Sequence, residues 1–190
     1  MTVREGGIRP FLPTAVIASA AVLVIAFYAK VPTYRVAPAF LVPILWAPVL
    51  LRRRLHLHPF HYLLFASALV LHNLGAFGFY QQSFFGLSFD IYVHFYFAFA
   101  GTFLVERLVS STLPVNSWTA RAMTLLFMMG CGAIHELGEY VSYLVLGEER
   151  GMLKPSTSYF FDTQRDLLNN LFGTLTALAV IAITRRRSTL

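Results

Sequence analysis

The segment FDTQRDLLNNLFGTLTALAVIAIT, residues 161–184, is apolar and uncharged from Leu171 onward until it meets Arg185-Arg186-Arg187. Its opening turns instead hold Asp162, Arg165, Asp166, Asn169 and Asn170. As an α-helix it reaches about 36 Å at 1.5 Å per residue, more than the ~30 Å hydrocarbon core of a bilayer. By the 3.6-residue period, Asp162, Asp166, Asn169, Asn170 and Gly173 share about a quarter of the helix circumference. Leu167, Leu168, Leu171 and Phe172 cover the other faces. An ionisable group at the centre of a lipid-facing helix costs at least ~2.5 kcal/mol. The segment therefore predicts a membrane-crossing helix whose polar stripe, confined to one end, faces protein.

The rest of the chain has the same character. Of 190 residues 57% are hydrophobic and 13% charged, and the mean hydropathy is +0.63. A soluble domain is nearer about 45–50% apolar and about 25% charged. Disorder is excluded by 18 Phe, 9 Tyr and 2 Trp, which cannot stay solvated. Apolar runs at about 11–29, 36–51, 59–80, 89–110, 120–146 and 161–184 predict an all-α, six-helix transmembrane bundle, one domain over residues 1–190. The second run is short and holds Pro38, Pro43 and Pro48, which predicts a kinked helix. Arg4 and Arg9 ahead of Ala18-Ser19-Ala20 resemble a signal peptide, yet the apolar run continues through Tyr28. Removing it would leave five helices, so a retained first span is expected.

Charge points to the membrane rather than to nucleic acid. The net charge of +6 and the pI near 9.8 come from clusters such as Arg52-Arg53-Arg54 and Arg185-Arg186-Arg187 at the ends of apolar runs. No zinc-finger spacing or helix-turn-helix pattern accompanies them, so no nucleic-acid partner is expected. Arg4, Arg9, Arg52, Arg53, Arg54, Arg107, Arg121, Arg185, Arg186 and Arg187 fall at one set of helix ends. Lys30, Arg35, Arg150, Lys154 and Arg165 fall at the other. That asymmetry predicts both termini in the cytoplasm. The single cysteine, Cys131, lies inside an apolar run and leaves no room for an internal disulfide or a thiolate metal cluster.

Ionisable groups inside spans are functional candidates by default. His72 and Asn73 come late in the third run, and Asp90 and His94 early in the fourth. His135, Glu136 and Glu139 come late in the fifth, and Asp162, Asp166, Asn169 and Asn170 early in the sixth. Odd and even spans run in opposite directions, so all of these fall at one depth, in the extracytoplasmic half. Asp90 and His94 are spaced i, i+4, as are His135 and Glu139, which puts each pair on one helix face. Glu106 lies at the other end beside Arg107 and reads as an interfacial ion pair or a snorkelling side chain. His56, His58 and His61 read as a solvated loop cluster. The connection Glu148–Ser158 reads as an ordinary solvated connector, with a lid over the polar cluster as the other reading.

The ordered series Asp90-x3-His94, Glu136-x2-Glu139 and Asp162-Thr163-Gln164-Arg165-Asp166-x2-Asn169-x3-Gly173 resembles the VanZ-like membrane proteins. It is more similar to the YjdF-type bacterial inner-membrane family, in the Glu-x2-Glu and Asp-Thr-Gln-x-Asp segments over about residues 60–180. His72 and Glu106 also fall where that family tends to be polar. The chain departs from the VanZ-like pattern at Glu139, where Gln is common. The resemblance implies a multi-helix membrane fold, a multi-pass location in a bacterial-type inner (plasma) membrane, and a cell-envelope setting.

These residues suit a membrane enzyme acting on a lipid or lipid-linked envelope substrate. In that reading His72, Asp90, His94 and Asp166 hold a divalent metal, and Glu136, Glu139, Asp162, Asn169 and Asn170 are catalytic. Carboxylate oxygens with one or two imidazoles suit Zn²⁺, Mn²⁺, Mg²⁺ or Fe²⁺. The ion would acidify a bound water, a spare carboxylate would take its proton, and an asparagine amide would donate to a developing oxyanion. Two other readings use the same residues: an ion- or proton-coupled transporter or ion-binding protein, and an envelope accessory protein whose polar cluster is structural. Against transport, polar groups are scarce in the cytoplasmic halves and no inverted repeat is visible.

Overall fold

The computed structural model describes residues 7–29, 32–147 and 159–187. Six α-helices make up nearly all of it: α1 (Leu12–Tyr28), α2 (Pro32–Leu50), α3 (Pro59–Asn73), α4 (Phe89–Thr112), α5 (Ser117–Leu146) and α6 (Tyr159–Arg187). Local chemistry explains their ends. Pro59 opens α3 and the His58 ring accepts a hydrogen bond from the Phe60 amide, as a proline-led N-terminus allows. The Asn116 side chain accepts from the amides of Trp118 and Thr119, capping α5. At its far end α5 stops at Gly147, whose φ of 75° few other residues adopt.

Two boundaries and one connection differ from the sequence reading. The second helix begins at Pro32 and runs through Pro38, Pro43 and Pro48 as one element. The third run does not stay α-helical to Tyr80. It passes at Asn73 into a 3₁₀ turn, Leu74–Phe77, then through left-handed Gly78 (φ 85°) into a second, Phe79–Gln81. Gly75 and Gly78 within a few residues weaken helix propagation there. A two-stranded hairpin follows, β1 (Ser83–Phe84) and β2 (Leu87–Ser88), with Phe84 paired to Leu87. Its loop residues Phe85 (φ 52°) and Gly86 (φ 80°) both have positive φ, the type I′ geometry that matches strand twist. The connection Glu148–Ser158 lies outside the described residues.

Helix α4 packs against α3, α5 and α6, most extensively against α6, while α1 packs against α2 and α3. The contact with α6 is made at backbone distance. A Cβ at Gly173 would overlap the Phe95 carbonyl oxygen, so only glycine permits this approach. Phe11, Ala15, Ala18 and Val22 meet Leu45 and Val49 of α2 and Tyr62, Ala66 and Leu69 of α3 in the largest core cluster. Its buried polar atoms are paired: the Tyr62 hydroxyl donates to the Leu45 carbonyl and the Trp46 indole to the Ser19 hydroxyl. The perimeter is apolar, with Ile17, Phe27, Phe40, Leu126, Ile134 and Phe172 among its exposed side chains. Pro59–Phe77 and Phe161–Arg185 are long and apolar enough to cross a membrane.

Candidate cation site

The polar end of the molecule is where α4 and α6 begin and where α3 and α5 end. First-turn Asp90 and, one turn later, His94 project from the same face of α4. The close approach of α6 at Gly173 carries Asp166 to them, and α5 brings Glu136 from the other side. His94 is the hub. Its Nε2 lies 3.4 Å from Asp90 Oδ1 and 3.8 Å from Asp166 Oδ2, and its Nδ1 lies 3.9 Å from Glu136 Oε1. His94, Glu136 and Asp166 are all buried.

This arrangement is unsatisfied as it stands. A neutral imidazole has one N–H and one lone pair, yet both nitrogens of His94 face carboxylate oxygens. If Nδ1 donates toward Glu136, the Nε2 lone pair confronts Asp90 and Asp166. Both Glu136 oxygens and Oδ1 of Asp166 are buried without a hydrogen-bond partner. An unpaired buried carboxylate costs several kcal/mol, so the cluster calls for protons or a cation. Ligand atoms of Asp90, His94 and Asp166 all lie within 4.8 Å of one another, close enough to share one ion. Two carboxylates and an imidazole form a hard, mixed donor set suited to Zn²⁺, Mn²⁺, Mg²⁺ or Fe²⁺.

Arg165 ties the set together from outside. Its Nη2 donates to Asp90 Oδ2 at 2.9 Å and to Asp162 Oδ1 at 2.5 Å, and its Nε lies 3.6 Å from Asp166 Oδ1. Asp162 thereby joins through the guanidinium. Asn170 is buried against Gly132, where an added Cβ would stand 2.7 Å from the asparagine amide nitrogen. The Asn169 amide nitrogen is buried without a partner. Glu139 Oε1 lies 3.3 Å from His135 Nε2, one turn back on α5.

His72 stands one step removed from the three-residue set. Its Nδ1 is 2.7 Å from the Tyr80 hydroxyl, and its ring centroid is 5.5 Å from that of His135, which in turn is 5.8 Å from His94. The link of Tyr80 to His72 and the reach of Arg165 to Asp90 on α4 were not foreseen. Tyr80 reaches His72 only because the chain leaves the α-helix at Asn73, and the Asp-x2-Arg spacing of Asp162 and Arg165 gave half of the Arg165 link.

At the opposite end Glu106 is buried at 2% exposure and paired, though with Arg185 of α6 rather than its neighbour Arg107. Arg185 Nη1 and Nη2 each lie 2.8 Å from a Glu106 oxygen, and Ser110 donates to Oε1 at 2.7 Å. Arg107 donates instead to the His56 carbonyl. His58 is committed to capping α3 and the His61 ring faces Phe103. Among the described residues the loop histidines form no ligand set.

The family described as "Predicted membrane protein (DUF2238)" matches residues 11–187. No curated protein and no solved structure matches the chain.

Proposed function

The chain belongs to the DUF2238 family of predicted membrane proteins, and from that membership we propose that all six helices cross a bacterial-type inner membrane with both termini in the cytoplasm. The polar end then opens toward the extracytoplasmic side, in keeping with the resemblance to VanZ-like and YjdF-type proteins. At that end the chain is a divalent-cation-dependent enzyme acting on a lipid or lipid-linked envelope substrate. One observation carries this reading: three buried or half-buried cation ligands from α4 and α6 converge, while Glu136 from α5 faces the other nitrogen of His94 with both oxygens unpaired.

Asp90, His94 and Asp166 hold the ion, which supplies Lewis acidity and a more acidic bound water. Glu136 stands on the Nδ1 side of the His94 ring, 3.9 Å away and beyond hydrogen-bond range, as a further acid beside the ion's ligand. Arg165 and Asp162 fix Asp90. Glu139, partnered by His135, is the carboxylate placed to take a proton. Asn169, with its unpartnered amide, is the donor for a developing negative charge. Asn170 and His72 position the walls, through Gly132 and His135 respectively.

Lipid extracts of membranes carrying wild-type protein, compared with an Asp90→Asn/Asp166→Asn variant, test the reading. A lipid product present only with wild type, without ion flux in reconstituted liposomes, supports catalysis. An unchanged lipid profile with flux would transfer the site to a transporter, and neither effect would leave it an accessory protein.

A further inference from the structure

We infer that the site seats a second divalent cation on the α5 side of His94, held by Glu136 and Glu139 with His135. The inference rests on the cation-site reading above and extends it from one ion to two, with Glu139 turned from proton acceptor to ligand of the added ion. Its first support is Glu136 itself. The side chain is only 4% exposed, both oxygens lack a hydrogen-bond partner, and Oε1 is aimed at the Nδ1 side of His94. Asp90 and Asp166 stand at Nε2 instead. The imidazole thus separates two groups of carboxylates, and an ion at the first group leaves the second uncompensated.

The second support is charge. Asp90, Glu136, Glu139, Asp162 and Asp166 bring five carboxylates to this end, and Arg165 is the one guanidinium among the described residues that meets them. With both histidines neutral and every carboxylate ionised, four negative charges remain. One divalent ion removes two of these, and a second removes the rest. Like charges at such distances in a dry interior are strongly unfavourable, so a pair of ions is the loading that neutralises the cluster.

The third support is the donor set. Glu136 and Glu139 are i, i+3 on α5, neighbours at about 5–6 Å between Cβ atoms. His135 Nε2 already lies 3.3 Å from Glu139 Oε1. The first seat is ready-made, whereas the second closes by rotation of the two glutamate side chains toward the imidazole.

The test is the Mn²⁺ content of detergent-purified full-length protein, measured by elemental analysis after equilibration with Mn²⁺. Two equivalents are expected in wild type, and one in Glu136→Gln/Glu139→Gln, which keeps volume and hydrogen-bonding shape. Mn²⁺ magnetic resonance of wild type gives a check that needs no variant: an exchange-coupled spectrum is expected instead of the hyperfine pattern of isolated ions. One equivalent in wild type, lost in Asp90→Asn/Asp166→Asn and unchanged in Glu136→Gln/Glu139→Gln, would overturn the second seat and leave the first standing. No bound Mn²⁺ in wild type would overturn both.

Discussion

His94 shows how a single side chain can demand a partner. Both of its nitrogens face acids from three helices, and no tautomer satisfies all of them. Two glycines make that crowding possible, each by a different margin. At Gly173 a methyl group would meet the Phe95 carbonyl oxygen and the Phe99 amide, both backbone atoms that move only if α4 and α6 separate. At Gly132 it would meet the end of the Asn170 side chain, which can swing away. Gly173→Ala is therefore expected to destabilise by about 1–3 kcal/mol, the range for overpacking, and to lower the Tm in detergent by several degrees. Gly132→Ala is expected to cost less. An equal or larger loss at Gly132 would mean that Asn170 is held rigidly and that the α4–α6 approach is not the tight one. Residue spacing had revealed part of this: the i, i+4 pair Asp90 and His94 and the stripe from Asp162 to Gly173 were legible from the helical period alone. The detour of His72 to Tyr80 was not, because it depends on where the helix ends.

The α4–α6 pair is fastened at both ends. At one end Arg165 bridges Asp90 and Asp162, and at the other Arg185 grips Glu106 with two nitrogens. The second fastening is asymmetric in burial, with Glu106 at 2% exposure and the Arg185 side chain at 45%. Removing the arginine strands a buried charge, while neutralising the glutamate leaves an arginine that solvent reaches. Arg185→Ala is accordingly expected to cost about 3 kcal/mol, and Glu106→Gln clearly less. Thermal unfolding of both variants and of the double variant measures the difference and the coupling. Equal losses would show that the pair is solvated. The helix boundary at Pro59 was legible where an apolar run met proline, whereas the fifth run was read from 120 and α5 begins at Ser117, capped by Asn116. The hairpin was not, because Phe85-Gly86 takes a turn usually signalled by Asn-Gly, and Phe85 adopts a positive φ that its side chain disfavours.

Across the whole molecule, polarity is segregated. The perimeter is apolar, α4 and α6 meet at backbone distance at Gly173, and the ion pairs among the described residues lie at the two ends. One end is a neutralised pair, Glu106 with Arg185. The other holds more carboxylates than cations among the described residues. That imbalance was readable from the sequence as three runs placing acids at one depth, with His72 and Asn73 of a fourth beside them. Which acids come within reach of one ion was not, because it depends on helix rotation and packing distance rather than on depth. The most direct measurement is the divalent-metal content of purified wild-type protein beside a His94→Ala/Asp166→Ala variant, both checked for a cooperative thermal transition. The account predicts at least one tightly bound ion in wild type and at least one fewer in the folded variant. A folded variant that binds as much metal as wild type, or a wild type that binds none, would contradict it.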